Sequence, residues 1–468
     1  SLLRCAVPAA SQYGPGVIPM MLMSGQNRSR WDVVAEFAPS VGWIGLMLLP
    51  LAFQYTDLHE TGKALQLGIV CCIAVLLVFA DWLSFKMALR RPSTLGHGME
   101  NRWLFLVGLC FLLPAVAHLY LMPRIPLLAL FTDKSATESS MTMLRLESGK
   151  LMAVPSAVMY LFNWALVVFA PVFVGLAWFT GRRRLATYGL LIASLYAVAT
   201  WAKLPVALLL VTCVFMGCVL PGPLRRGLCL GGVVSILLVF GLLGILFATG
   251  SLTHLKSAES HAQSPVLLAM QPDDPRRALT YGDNFRFESV VADEDRSKFR
   301  RILEYVVYRA WLTPADVSNR WYQYFTYVRE KPLGIRSVFG VYDDAQGQAP
   351  SRVVGLWAYQ ARFPYKYWST VSAYASFDAD AFARGGVLGV LLATVLFLAA
   401  RVGAAYLVTS HPVGQVGYAV MLCVLAILPS FASIQAIFGA NGLIVPLALL
   451  LLIRVSTPRV DLATIPVQ

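Results

Sequence analysis

Long apolar runs separated by short polar stretches make up most of the chain from about residue 38 to 250 and again from 385 to 455. A helix needs roughly 20 apolar residues to cross about 30 Å of hydrocarbon. Runs near that length lie at 38-54, 64-88, 103-123, 151-178, 185-200, 204-221, 227-249, 385-408, 414-432 and 437-455. Span 38-54 is short. The neighbours 185-200 and 204-221 read as two helices joined by a tight turn, because a single helix would leave Lys203 in lipid. The pattern predicts an all-α polytopic membrane protein of about ten transmembrane helices.

Residues 251-384 interrupt the series with one long polar segment. Its first part, 251-298, is rich in polar residues with Pro and Gly and reads as loop. From Lys298 the pattern changes: Ile302, Leu303, Val306, Val307, Ala310 and Trp311 recur at helical spacing, which predicts an amphipathic helix lying on the membrane domain. Pro314 ends that helix or starts the next, and a second helical piece carries Trp321, Tyr322, Tyr324, Phe325 and Tyr327. The expected organisation is an N-terminal segment 1-37, a first bundle of about seven helices at 38-250, the large loop 251-384, three more helices at 385-455 and a tail 456-468.

Composition agrees with a lipid solvent: 57% of residues are hydrophobic, 13% are charged and the mean hydropathy is +0.65. The net charge of +13 would suggest nucleic acid in a soluble chain. Here Arg28, Arg30, Lys86, Arg90, Arg91, Arg102, Arg182, Arg183, Arg184, Arg225, Arg226, Arg401, Arg454 and Arg459 all fall on one side of a ten-span layout. That asymmetry puts both termini in the cytoplasm and the large loop outside it. The loop itself is nearly neutral, with 17 Lys and Arg against 15 Asp and Glu. The basic balance is therefore topology, and no nucleic-acid partner is expected. Of the 8 cysteines none lies in 251-384, so neither a disulfide framework nor a cysteine metal site is indicated. Residues 1-37 lack the pattern of a cleaved signal peptide, and the chain opens on Ser1, which leaves upstream residues open. Phosphate-binding loops, zinc-type spacings, nucleophile elbows and dinucleotide fingerprints are missing from the sequence.

Two chemistries fit the polar segment. Sugars need flat aromatic faces with hydroxyl partners, which Trp321, Tyr322 and Tyr324, and the run Tyr365 to Trp368, can supply; interfacial anchoring is the plainer reading of each ring. A lipid diphosphate needs fixed cations near the outer membrane surface, and Arg145, Lys150, Lys203 and Arg309 lie at or beside outward helix ends, where snorkelling is the plainer reading. His118 and the glycines Gly385, Gly386 and Gly389 read as structural, the glycines allowing close helix packing.

The segments MLRLESGKLMAVPS, SLYAVATWAKLPVALLLV, YRAWLTPADVSNRWYQYF and SAYASFDADAFARGGVLGVLLA, in that order within this topology, resemble the Wzy-type oligosaccharide repeat-unit polymerases of bacterial surface polysaccharide synthesis. The likeness extends over about residues 38 to 455. It implies a GT-C-like glycosyltransferase of the bacterial inner membrane with a periplasmic loop, inverting, using no metal, cofactor or nucleotide sugar. Its substrate would be undecaprenyl-diphosphate-linked oligosaccharide, and a chain-length regulator and other assembly proteins would be partners. Arg145, Lys203 and Arg309 are then assigned to the donor diphosphate, with Lys150 and Arg384 beside them. An inverting transfer needs a group that takes the acceptor's proton, and Asp378, Asp380 and Asp316 are the candidates. Two departures stand out: 251-298 matches no pattern of the family, and no histidine accompanies the Gly-rich re-entry segment 372-393.

O-antigen ligases are similar in architecture but carry a histidine late in the outer loop, whereas here the loop's histidines are His254 and His261 at its start, so polymerase ranks above ligase. A transporter would show paired broken helices and charges at midplane. Within the spans Asp81 is the obvious acid, and an interfacial position near a cytoplasmic end explains it. Transport and a non-catalytic assembly role therefore rank lower.

Overall fold

The computed structural model describes residues 35–54, 60–88, 100–128, 148, 152, 154–200, 209, 211–213, 215–216, 311–329, 331–334, 336–337, 349–359, 374–409 and 411–456. Among them helix predominates and no strand occurs. The elements are α1 (Ala38–Phe53), α2 (Glu60–Ala88), α3 (Glu100–Leu121), α4 (156–179), α5 (Arg183–Ala199), α6 (Thr313–Gln323, running on into a π turn at Tyr324–Val328), α7 (Pro350–Tyr359), α8 (Phe377–Leu407), α9 (Pro412–Ser430) and α10 (Ile444–Ser456).

Five of these helices are long and apolar enough to span a membrane: Gly62–Met87, Asn101–Leu121, Val158–Phe179, Phe377–Leu407 and Pro412–Ser430. The protein is an α-helical membrane protein. α1 and α10 are shorter apolar helices, and α5 carries Arg183 and Arg184 in its first turn. The run expected at 437-455 is not one helix. A π turn at Ala436–Ala440 and a bend at Gly442 precede α10, which begins only at Ile444. Most of 204-221 and all of 227-249 lie outside the described residues, as do 251-310.

α9 is buried on nearly every side, as an all-round hydrophobic helix should be. It is packed by α1, α4, α8 and α10, while α2 lies along α8 and α5 along α4. Outward, Val75 and Phe79 of α2, Phe105 and Leu113 of α3, Leu191 and Leu195 of α5, and Leu388 and Leu391 of α8 stay exposed. A belt of this kind marks the surface that faces lipid.

α6 comes from the long polar segment and lies against one end of this bundle, and α1 shows why it docks there. In the π turn Ile44–Leu48 the amide of Leu49 bonds Ile44 O, so the same register would give Gly45 O the amide of residue 50. Residue 50 is proline and has no N–H. Trp311 Nε1 donates to Gly45 O instead, at 2.7 Å. Gln54 Nε2 donates to Leu312 O at 3.0 Å and Gln66 Nε2 to Ala315 O at 3.2 Å, which fixes the start of α6 on α1 and α2.

Candidate functional site

Each side of α6 is occupied differently, because successive residues turn about 100° around a helix axis. One side points to α2: Asn319 Nδ2 donates to Gln66 Oε1 and Gln323 Nε2 to Asn319 Oδ1, both at 2.9 Å and both buried. A second side meets the start of α8. Ser318 and Ser376 hydroxyls lie 2.8 Å apart, Tyr322 donates its hydroxyl to Asp378 Oδ2 at 2.8 Å, and Ser376 Oγ donates to Asp378 Oδ1. A third side, Val317 and Trp321, joins Phe325, Leu333, Val354, Trp357, Ala379 and Ala383 in a small apolar core of its own. Asp316 and Arg320, one turn apart with Nε 3.9 Å from Oδ1, border the side that points to α2, and Arg320 Nη1 donates to Gln323 Oε1 at 3.3 Å.

α8 begins as a short helix, Phe377 to Gly385, and then breaks. Gly386 has φ +59° and ψ −149°, a conformation open in practice to glycine alone. The break frees the carbonyls of Ala383 and Arg384, and the neighbouring strap takes them: Leu333 N–H donates to Ala383 O at 2.8 Å and Gly334 N–H to Arg384 O at 2.9 Å. Past the break the helix turns back so closely that a Cβ on Gly389 would sit 2.3 Å from Ala381 O. The expected start of a span at 385 thus coincides with a real discontinuity.

Arg384 is fully employed in holding this half-helix. Its Nε and Nη2 donate to both oxygens of Asp380, at 2.8 and 3.0 Å, Nη1 donates to Ser337 O, and Nη2 also reaches Gln435 Oε1 at 3.3 Å in the turn before α10. Burial, and after it the neighbouring Asp378 carboxylate, push the Tyr322 phenol well above its ordinary range. Tyr322 therefore acts as a fixed hydroxyl donor and not as a base.

Of the residues singled out in the sequence, Asp316, Asp378, Asp380, Arg384, Trp321, Tyr322 and Tyr324 come together around α6 and the first turns of α8. Arg145, Lys150, Lys203 and Arg309 lie outside the described residues, as do Tyr365 to Trp368. Trp321 and Tyr322 do not present ring faces: they are 2% and 0% exposed, because Trp321 fills the small core and Tyr322 packs at a tilt against Phe382 and bonds Asp378. Tyr324 is half-buried, edge-on to Phe325 and Trp357. Gln66, Ser318, Asn319, Arg320, Gln323, Ser337, Ser376 and Gln435 were not anticipated. The pairs Asp316/Arg320, Asn319/Gln323 and Asp380/Arg384 are spaced i, i+4, a signal that was there to be read. Among the described residues no three His, Cys, Asp or Glu side chains converge as a metal-ligand set.

A second polar cluster lies at the opposite end of the bundle. Arg401 of α8, wholly buried, donates Nε to Asp81 Oδ1 at 2.7 Å, Nη1 to the Tyr418 hydroxyl at 2.7 Å, and Nη2 to Glu36 O and Oε2 at 2.7 and 3.0 Å. Tyr418 in turn donates to Glu36 Oε2 at 2.6 Å, and Ser40 N–H donates to Asp81 Oδ2 at 2.9 Å. The expectation that Asp81 sits at the membrane interface is corrected here. Asp81 is 0% exposed and joins α1, α2, α8 and α9 through Arg401.

Comparison of the chain with protein-family models, with curated proteins and with solved structures finds no match.

Proposed function

We propose that the protein is a glycosyltransferase of the bacterial inner membrane that polymerises undecaprenyl-diphosphate-linked oligosaccharide repeat units at the periplasmic face, inverting and without metal. The observation that carries this reading is α6. A helix drawn from the long polar segment is bound into the end of a membrane bundle and gathers three carboxylates and two arginines around the break in α8. An inverting transfer from a lipid diphosphate calls for a carboxylate to take a hydroxyl proton, a cation for the leaving diphosphate, and a rigid frame at the membrane surface. All three kinds of group are present in this small region. In this reading the α6 end is periplasmic, the Arg401 end and both termini are cytoplasmic, and Arg145, Lys203 and Arg309 complete the donor site.

The test is deletion of the gene in its host, followed by size separation of the surface polysaccharide and complementation with the wild-type gene. Loss of the long-chain ladder, with single repeats still reaching the surface, is the expected result. Long lipid-linked chains that accumulate without transfer would indicate a ligase. An unchanged glycan profile would refute the proposal.

A further inference from the structure

The two parts of α8 face different surroundings. Between Phe377 and Arg384 every side chain is buried save the half-buried Phe382. From Val387 onward each turn leaves apolar side chains outside: Val387 and Leu388, then Leu391 and Leu392, then Val395 and Leu396. The break at Gly386 is therefore where α8 passes from the packed end of the bundle to the surface that faces lipid. The strap crosses α8 at this level. Leu333 and Gly334 donate to the carbonyls of Ala383 and Arg384, and the Pro332 ring lies 3.9 Å from the place a Cβ on Gly386 would take. Leu333 turns inward to the small core and Ser337 is buried, whereas Lys331, Pro332, Gly334 and Arg336 are exposed.

Lys331 and Arg336 are the charged residues of 331–337. Main-chain bonds pin their surroundings. Lys331 stands two residues before the Leu333 anchor, and Arg336 stands between Gly334 and Ser337, whose N–H and Oγ donate to Gly334 O at 3.1 and 2.6 Å. Among the described residues neither cation meets a carboxylate, a carbonyl or an aromatic ring, in contrast to Arg384 and Arg401, which are both buried and paired. Two unpaired cations on a pinned segment at the edge of a lipid-facing surface suit an anion that carries an apolar tail. We propose that Lys331 and Arg336 bind the phosphate of an anionic phospholipid whose acyl chains lie along Val387, Leu388, Leu391 and Leu392. The guanidinium fork of Arg336 takes two phosphate oxygens, and the Lys331 ammonium adds a point charge. A free phosphate would gain these contacts alone and from dilute solution, whereas a lipid is already held at the membrane surface and gains the apolar contact as well. The strap in this way fixes the depth of the α6 end in the bilayer, whatever reaction the protein performs.

The experiment titrates the full chain, purified in a non-ionic detergent, with phosphatidylglycerol and separately with phosphatidylcholine, and counts bound lipids by native mass spectrometry. The wild type is expected to bind its first phosphatidylglycerol more tightly than its first phosphatidylcholine. Lys331→Gln with Arg336→Gln should weaken the phosphatidylglycerol affinity by about 25-fold, about fivefold for each cation near the membrane surface. Arg183→Gln with Arg184→Gln removes two exposed cations at the Arg401 end of the bundle and should leave the tightest binding unchanged. Equal phosphatidylglycerol affinity in the wild type and the strap variant, no preference of the wild type for phosphatidylglycerol, or loss of the tight lipid in the control variant would each overturn the proposal. Complete displacement of the lipid by excess inorganic phosphate would overturn it too, by assigning the two cations to a free anion. If the paired strap change lowers the thermal midpoint, the single changes decide, with about a fivefold loss expected from each and no loss from either overturning the assignment. The readout is lipid binding and not the glycan profile, so this proposal and the polymerase reading fail separately.

Discussion

Arg401 and Asp81 stand 320 residues apart in the chain and meet at 2.7 Å, with both side chains fully excluded from solvent. Taking either charge out of water is expensive, and only the completeness of the arrangement offsets it: both oxygens of Asp81 accept, and Arg401 serves three partners. Removing one member leaves the other buried and unmatched. Arg401→Met is expected to destabilise the protein by about 3–5 kcal/mol, measured by reversible unfolding in mixed micelles. Arg401→Met combined with Asp81→Leu should recover a large part of that loss. A double variant no better than the single one would show that the cluster does more than balance charge.

Tyr322 and Asp378 hold α6 to α8 at the other end. Tyr322→Phe keeps the ring on Phe382 but strips one donor from a buried carboxylate, which costs about 1–3 kcal/mol. The pH dependence follows from direction. The Tyr322 phenol is raised above its ordinary 10.0 in the folded protein. Its contribution is therefore complete below that value and fades only as pH rises through the higher, folded one. The stability difference between wild type and Tyr322→Phe should thus be flat from about pH 6 to 9. A difference that shrinks with rising pH inside that window would contradict the burial of this hydroxyl.

Gly386 and Gly389 are separable tests of the break in α8. Gly386→Ala puts a side chain at φ +59°, ψ −149° and should cost about 1–3 kcal/mol through the backbone alone. Gly389→Ala meets the Ala381 carbonyl at 2.3 Å and must push the two halves of the helix apart. The first variant should lose stability with the strap at 331–334 still in place. The second should also expose that strap, read as faster amide exchange at Leu333 and Gly334, whose N–H groups otherwise bond Ala383 and Arg384.

The membrane helices were legible because lipid selects for apolar length, and length survives as a run in the sequence. α2, α3, α4, α8 and α9 all fall on such runs. What the runs could not convey is pairing across the chain. Asp81 looked like an interfacial acid because its partner lies in another helix, and nothing local marks Arg401 as that partner. The site was legible in kind and not in arrangement. Trp321 and Tyr322 are adjacent in sequence and similar in chemistry, yet the 100° turn between them sends one into an apolar core and the other to Asp378. The aromatic pattern alone suggested open ring faces, because it carries no information about what packs against each side of α6. Asp380 and Arg384 could have been paired from spacing, but the carbonyl of Ser337 and the amide of Gln435 that complete the joint come from other parts of the chain.

That completion separates a simple ion pair from a structural joint, and an exchange of the two charges distinguishes them. If Asp380 and Arg384 served only each other, Asp380→Arg with Arg384→Asp would restore most of the stability lost by either change alone, since the pair would remain one turn apart on the same helix. The observed contacts forbid that outcome. A carboxylate at 384 would face the Ser337 carbonyl that now accepts from Nη1, acceptor against acceptor, and would leave the carbonyl without its donor in a buried position. The exchanged protein should therefore remain at least as destabilised as Arg384→Met, by about 3–5 kcal/mol. Arg384→Lys should fall between, because one ammonium cannot span both oxygens of Asp380 and the carbonyl together. Full recovery in the exchanged protein would mean that Ser337 and Gln435 contribute nothing to the joint, and that the half-helix is held by α6 and the strap alone.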